Sequence, residues 1–435
     1  MTSRRLLYIA FWYPPSRASG VYRALATTRA FVEAGWEVTV VTTTERFLEN
    51  EIGSLDRSLL SEIPAAARVE RVPFSFDPDL REVGHFRGNF PVMWQAWRSL
   101  MGPIKDSLLA PITSRMPELE ESYSSWIDPV VAAIAERGEK FDHVLATGNP
   151  FSSFEAARRI ADELDIPYAV DFRDPWTIDV FTGNRARLPA GTELVEKRIV
   201  DGASSCIHVN DAIAEAYATK YPDAADKQHV VLNGFDQDSV HITPATYAGG
   251  PLRFGILGTV NDRWPLEPIL QAWRVVRNEL PVGSKLILGG HLGYFAKSAE
   301  PLERVLPGEA DGFEFIGAVS KSEVAAFYAS LDVVIVPVPG SPLVTSGKIY
   351  EAMAVGIPLV CVQAEGGDAR RVSGDHPLAQ MANPNVQSVA NALRAAERAR
   401  KEQGSDDIQF VRQAMRSFDR QVTMARMVQL IEESR

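Results

Sequence analysis

Two cysteines and seven histidines in 435 residues leave little material for a disulfide framework or a metal centre. Cys206 and Cys361 each sit in an apolar, strand-like run and read as buried thiols of a reducing compartment. The histidines show no metal-ligand spacing. No uninterrupted apolar run reaches about 18 residues, so no membrane-spanning helix is expected. Positive charge is also short: 45 Lys and Arg against 56 Asp and Glu give a net charge of −11, which argues against nucleic acid as a partner. There is no G-x-G-x-x-G, so a dinucleotide cofactor is not indicated. Arg4-Arg5 before the apolar run Leu6–Trp12 mimics a secretory signal, but the run is short and Tyr13-Pro14-Pro15 breaks it without a small-residue cleavage site. It is read as the first strand of a cytoplasmic protein.

What is present is a soluble composition, 46% hydrophobic and 23% charged, on a chain long enough for two domains. Strand and helix patterns alternate from Leu6–Phe11 (strand) and Val21–Ala34 (helix) through Asp211–Lys220 (helix) and Val230–Leu232 (strand). Periodicity then stops over Gln237–Pro251, a stretch with Pro244, Gly249, Gly250 and Pro251 that suits a linker. The alternation restarts at the strand Leu252–Ile256. Buried strands alternating with helices predict an α/β chain with doubly wound parallel sheets, divided here into 1–238 and 239–418, with a terminal helical segment 419–435.

The densest signal is Leu331–Val362. The apolar run Val333–Val338 is a buried strand, followed by a Pro/Gly/Ser/Thr loop. At Thr345-Ser346-Gly347 that loop turns into a helix over Lys348–Ala354, and Gly356 and Pro358 end it before the strand at Leu359. The helix start is polar and reads as uncapped. Free N–H groups there can hold a phosphate, and a carboxylate one turn in, Glu351, can hold ribose hydroxyls. The competing reading is an ordinary crossover with one exposed Glu.

Glu351-Ala352-Met353-Ala354-Val355-Gly356-Ile357-Pro358 resembles the second half of the signature of retaining glycosyltransferases with the GT-B fold, family 4 in particular. The first Glu of that signature falls at Leu343. Ser19-Gly20-Val21 is similar to the family's Gly-Gly-Val loop near the donor diphosphate, with Arg17 and Arg23 beside it. Asp171-Phe172-Arg173-Asp174-Pro175-Trp176 resembles a bacterial branch that assembles polysaccharides or natural products. Asn233-Gly234-Phe235-Asp236 resembles the turn before the interdomain linker, and Phe315-Ile316-Gly317-Ala318-Val319 the family's F-x-G-x-V. In the last of these Phe315 reads as core, while Ser320 and Glu323 form a capping box for the helix that follows.

The resemblance implies two Rossmann-like domains facing across a cleft, an acceptor-binding 1–238, a nucleotide-sugar-binding 239–418, and a last helix crossing back to the first. It implies donor contacts from Gly20, Arg263, Ile316, Val319, Thr345, Ser346, Gly347, Lys348 and Glu351. It places Asn149, Asp171, Arg173 and Asp174 beside the acceptor and the reacting sugar, with the family's histidine falling at Gly148. Each has a structural alternative. Asn149 can simply make its turn, Asp171 to Asp174 can form an internal Arg–Asp clamp, and Arg263 and Lys348 can be solvated. The implied co-substrate is a nucleoside-diphosphate-sugar, with no metal or other cofactor, and the acceptor is a sugar, a lipid-linked or a small molecule. Without the first Glu, either main-chain amides across 342–346 replace it or the donor is a deoxy sugar. The stretch 81–115, with five basic residues and Met93, Trp94, Trp97, Leu100 and Met101 on one helical face, reads as a peripheral membrane contact or as a packed stripe with solvated charges. Alternative functions are a nucleotide-sugar 2-epimerase and a non-catalytic nucleotide-sugar-binding partner of another transferase.

Overall fold

Among the described residues every pairing between the strands of the two sheets is parallel, because each apolar run returns to its sheet through a crossover rather than a hairpin. The computed structural model describes residues 4–434 apart from 54, 77–120, 190, 262, 294–305 and 309–310. The stretch 81–115 therefore lies outside the described residues. Two compact units form: 1–179 with 184–231 and 424–435, and 180–183 with 232–423.

The first unit is built on β1 (Arg5–Ala10), β2 (Glu37–Thr42), β3 (Arg68–Arg71), β4 (His143–Gly148), β5 (Tyr168–Phe172), β6 (Ser205–His208) and β7 (Gln228–Val230), in the order β3-β2-β1-β4-β5-β6-β7. The second is built on β8 (Arg253–Leu257), β9 (Lys285–Gly289), β10 (Phe313–Gly317), β11 (Val333–Pro337), β12 (Leu359–Val362) and β13 (Ala379–Ala382), in the order β10-β9-β8-β11-β12-β13. The strand order reverses between β1 and β4 in one sheet and between β8 and β11 in the other. Loops at the carboxyl ends of strands beside such a reversal splay apart, and ligands of open α/β sheets bind there.

Alternation within each run decides which helix layer a side chain joins. In the second sheet Val334, Val336, Leu359 and Cys361 pack into one core, while Val333, Ile335, Val360 and Val362 pack into the core on the opposite face with Trp273. In the first unit Met424, Met427, Leu430 and Ile431 of the helix Arg420–Glu433 join the core of Leu6, Tyr8 and Phe31. Thr27 donates to the sulfurs of Met424 (3.4 Å) and Met427 (3.6 Å). Residues 424–431 of the last helix thus pack within the first unit.

Some elements differ from the sequence expectation. Ile127–Arg137 is a helix that the reading passed over, although Val130 and Ile134 carry its buried stripe. The terminal helical pattern is interrupted by a 3₁₀ turn over Met415–Phe418. Phe315, expected in the core, is 41% exposed, because edge strand β10 is irregular between Phe315 and Gly317. Gly234 adopts φ 62°, and a Cβ there would lie 2.6 Å from the Phe418 carbonyl oxygen, so only glycine fits this turn.

Three buried imidazoles make folding pH-dependent. Desolvation lowers the pKa of His143, His208 and His376 to about 4 each, below the usual 6.5. The unfolded chain then binds more protons than the folded one between pH 6.5 and 4. Their contribution is present above pH 6.5 and is lost as pH falls toward 4, by a few kcal/mol per residue at most. Urea midpoints are expected to fall steadily from pH 7 to pH 5. Replacing all three histidines with glutamine should flatten that slope.

Candidate functional site

The loops flanking both strand-order reversals are those the sequence singled out. In the first unit, β1 leads to Gly20, β4 to Thr147–Pro150, and β5 to Asp171–Trp176. Arg23, on the helix Val21–Glu33, is buried and meets both carboxylate oxygens of Asp171 at 2.7–3.1 Å. It also donates to the Val231 carbonyl at 3.0 Å. Thr147 adds a hydrogen bond to Asp171 at 3.0 Å. The expectation that Asp171 meets the acceptor is corrected here: its carboxylate is fully buried and saturated, so it ties strand to helix. The clamp expected within Asp171–Asp174 does not form: Asp171 pairs with Arg23, from outside that segment.

Arg173 donates instead to the carbonyls of Gly148 (2.5 Å) and Asn149 (2.6 Å). Its guanidinium lies against Gly20, where a Cβ would be 1.4 Å from Nη1. The glycine is thus required by close approach, to the arginine in this structure. Asn149 and Asp174 are exposed, and neither side chain has a hydrogen-bond partner among the described residues. These two polar groups lie on separate loops, after β4 and after β5, and Arg173 ties the second loop to the first. Buried Glu196 accepts from Tyr217 (2.5 Å), Tyr221 (2.5 Å), Lys220 (2.9 Å) and the Thr177 amide (3.2 Å), and Tyr217 in turn accepts from the Trp176 amide (2.9 Å). Nothing in the sequence distinguished Glu196 from other charges on its helix.

In the second unit the helix Gly347–Ala354 begins at the loop after β11. Its start is capped, contrary to expectation: the Ser346 hydroxyl accepts from the Lys348 amide at 3.3 Å. The Gly347 N–H has no hydrogen-bond partner among the described residues. Glu351 sits one turn in, 14% exposed at its side chain. Tyr328 donates to its Oε2 at 3.1 Å and Lys348 at 2.7 Å. Both bonds fall on one oxygen, so Oε1 carries none among the described residues. Tyr328 lies 23 positions away in sequence and was not foreseen. Burial, with Glu351 adding to it, holds its hydroxyl well above the ordinary tyrosine pKa, so it remains a donor.

Thr345 gives its hydroxyl to buried Asp368, which Arg371 also holds at 2.8 Å. Leu343, where the signature's first Glu falls, is buried and turned inward, and its amide donates to the Ser341 hydroxyl at 3.1 Å. Ile316 and Val319 converge over Gly289, where a Cβ would meet Val319 at 3.0 Å and Ile316 at 3.5 Å. Ile316 is 43% exposed, an apolar side chain open to solvent. Arg263 is exposed and stacks its guanidinium 3.7 Å from the centre of the Phe181 ring. Among the described residues no group of three or more His, Cys, Asp or Glu could hold a metal ion, and no helix is long and apolar enough to cross a membrane.

Comparison with known proteins agrees with this geometry. Residues 20–234 match the family model of a glycosyl transferase 4-like domain, and residues 252–398 that of glycosyl transferases group 1. No curated protein matches. Among solved structures, sucrose-phosphate synthase from Thermosynechococcus elongatus superposes with a TM-score of 0.64 at 15% identity, over 99% of this chain and 98% of that one. Anabaena HepE in complex with UDP gives 0.61 at 14% identity, over 99% and 100%. A protein described as a putative UDP-N-acetylglucosamine 2-epimerase from Listeria monocytogenes gives 0.56 at 13% identity, over 99% and 96%. At such identities these structures attest the fold, and the two domain matches attest the class. With a glycosyl transferase 4-like domain followed by a group 1 domain on two parallel sheets, the chain is a glycosyltransferase of the GT-B fold.

Proposed function

We propose that the chain is a retaining transferase of the family 4 type, moving a sugar from a nucleoside diphosphate to an acceptor hydroxyl in bacterial glycolipid, polysaccharide or natural-product assembly. The observation that carries this reading is Glu351. Its carboxylate is fixed through Oε2 and open at Oε1, one turn from an unpartnered Gly347 N–H, beside the strand-order reversal of the second sheet. In this reading Oε1 accepts from the ribose hydroxyls, and Ile316 and Val319 receive the base. The diphosphate is met by the Thr345, Ser346 and Gly347 backbone with Lys348 and Arg263. No metal is required, because these donors supply the positive charge. The UDP held by Anabaena HepE makes UDP the first nucleotide to test.

Asn149 and Asp174 offer polar contacts to the acceptor, with Arg173 holding the loop that carries Asn149 in place. The acceptor oxygen bonds to the anomeric carbon on the face that the diphosphate leaves. The bond from that carbon to the phosphate oxygen breaks, and the acceptor proton passes to the departing phosphate. No side-chain base is needed, which accommodates Gly148 at the place of the family's histidine. Stabilising the departing charge then carries the rate.

Thermal-shift screening against UDP, ADP, GDP and dTDP, followed by product analysis, tests the reading. One nucleotide at about a hundredfold over its Kd is expected to add roughly 2.7 kcal/mol of stability. Nucleoside diphosphate should then be released from its sugar ester only when an acceptor is present. Free sugar or an epimer formed without acceptor would favour the 2-epimerase. Binding without release under any acceptor would favour a non-catalytic partner, and no binding at all would sink the donor site.

A further inference from the structure

Gln363, just past the end of β12, is 1% exposed and has no part in the contacts assigned to the donor. Its side-chain NH₂ lies within hydrogen-bond reach of three carbonyls of the loop after β11: Pro339 at 3.2 Å, Ser341 at 3.1 Å and Val344 at 3.1 Å. Its Oε1 accepts from the Arg370 amide at 3.3 Å. Room for the side chain depends on Gly367, where a Cβ would lie 2.2 Å from the Gln363 amide group. A buried amide collecting three carbonyls of one short loop is unusual, since two N–H donors are shared among three acceptors.

The consequence is directional. A trans peptide sets its N–H opposite its C=O, so turning the carbonyls of Pro339 and Val344 toward Gln363 turns the N–H groups of Gly340 and Thr345 away from it. Gly340 is exposed, and its N–H has no hydrogen-bond partner among the described residues. The same loop buries the Leu343 side chain, so no carboxylate at that place can reach a ligand.

We infer that Gln363 is a positioning residue for donor-sugar recognition: it shapes the 339–344 part of the loop so that the Gly340 backbone amide, rather than a side chain at 343, faces the sugar. The inference rests on the donor site proposed above. It separates the nucleotide, read through Glu351 and the base platform, from the sugar, read through a loop that Gln363 holds from behind.

The test compares Gln363→Glu and Gln363→Met in the full chain. Glutamate keeps the oxygen that meets the Arg370 amide but sets a second acceptor oxygen, charged when ionised, against the three carbonyls, whereas methionine keeps the approximate shape and removes donor and acceptor without adding charge. Hydrogen exchange of the peptide covering 338–346 is expected to quicken about tenfold or more in both variants, as for loss of a hydrogen bond or two. Exchange across β8 and β9 should stay unchanged. With UDP and UDP-glucose as probes, the sugar nucleotide should lose about tenfold in affinity while UDP stays within about twofold. If wild type binds UDP and both ligands weaken equally, or the 338–346 exchange does not change, the positioning role is overturned while the donor site survives. If wild type binds neither UDP nor any other nucleoside diphosphate, the donor reading fails and this inference falls with it.

Discussion

Glu351→Ala is expected to abolish detectable glycosyl transfer and to weaken nucleoside diphosphate binding by about a hundred- to ten-thousandfold. Two charge-assisted hydrogen bonds to ribose hydroxyls at roughly 1.5–3 kcal/mol each account for that range. Alanine also strips Lys348 and buried Tyr328 of their shared acceptor, so part of the loss is local. Glu351→Gln separates the two effects. Its amide retains a partner for either neighbour and keeps the side-chain volume, so the melting temperature should hold within a few degrees while nucleotide affinity still falls at least tenfold. Calorimetric titration of both variants with the nucleotide that wild type prefers checks the prediction. A Glu351→Gln variant that bound like wild type would remove Glu351 from the site.

Arg23→Met is expected to be the most destabilising single change in the first unit, costing about 3–5 kcal/mol, because it strands a fully buried carboxylate. Asp171 would keep only the Thr147 hydroxyl, and the Val231 carbonyl would lose its donor. The pair itself is worth much less than its breakage. Taking two charges out of water nearly offsets their attraction, so the double change Arg23→Met with Asp171→Leu should recover most of the stability. Urea unfolding followed by far-UV signal reads the difference as a shift in midpoint. A double variant as unstable as the single one would mean that the ion pair is irreplaceable, contrary to this account.

The elements easiest to read in the sequence were those whose local pattern already satisfies their surroundings. Val333–Val338 and Leu359–Val362 are apolar on both faces because helices cover both faces of the sheet, and Gly356 and Pro358 punctuate the turn between them. β13, Ala379–Ala382, has little strand propensity of its own and forms because β12 offers an edge. The same boundary divides the site. Glu351, Gly347 and Lys348 lie within five residues of each other and were legible as a motif. Tyr328, Glu196, Arg23 and Gln363 act through contacts spanning from about twenty residues to well over a hundred, which no local spacing encodes. Asp171 shows the converse. An acidic residue at a strand's carboxyl end reads as a ligand group until its partner, 148 positions away, is seen to saturate it. Phe315 was assigned to the core on residue type alone, and the irregularity of an edge strand turned it outward.

The central claim is that the second unit holds a sugar nucleotide by the ribose and diphosphate at the start of the helix Gly347–Ala354. A crystal structure with the preferred nucleoside diphosphate tests it most directly. The account predicts ribose hydroxyls within about 3 Å of Glu351 Oε1 and a phosphate oxygen on the Gly347 N–H. Nucleotide density elsewhere in the molecule, with Glu351 still bound only to Lys348 and Tyr328, would contradict it.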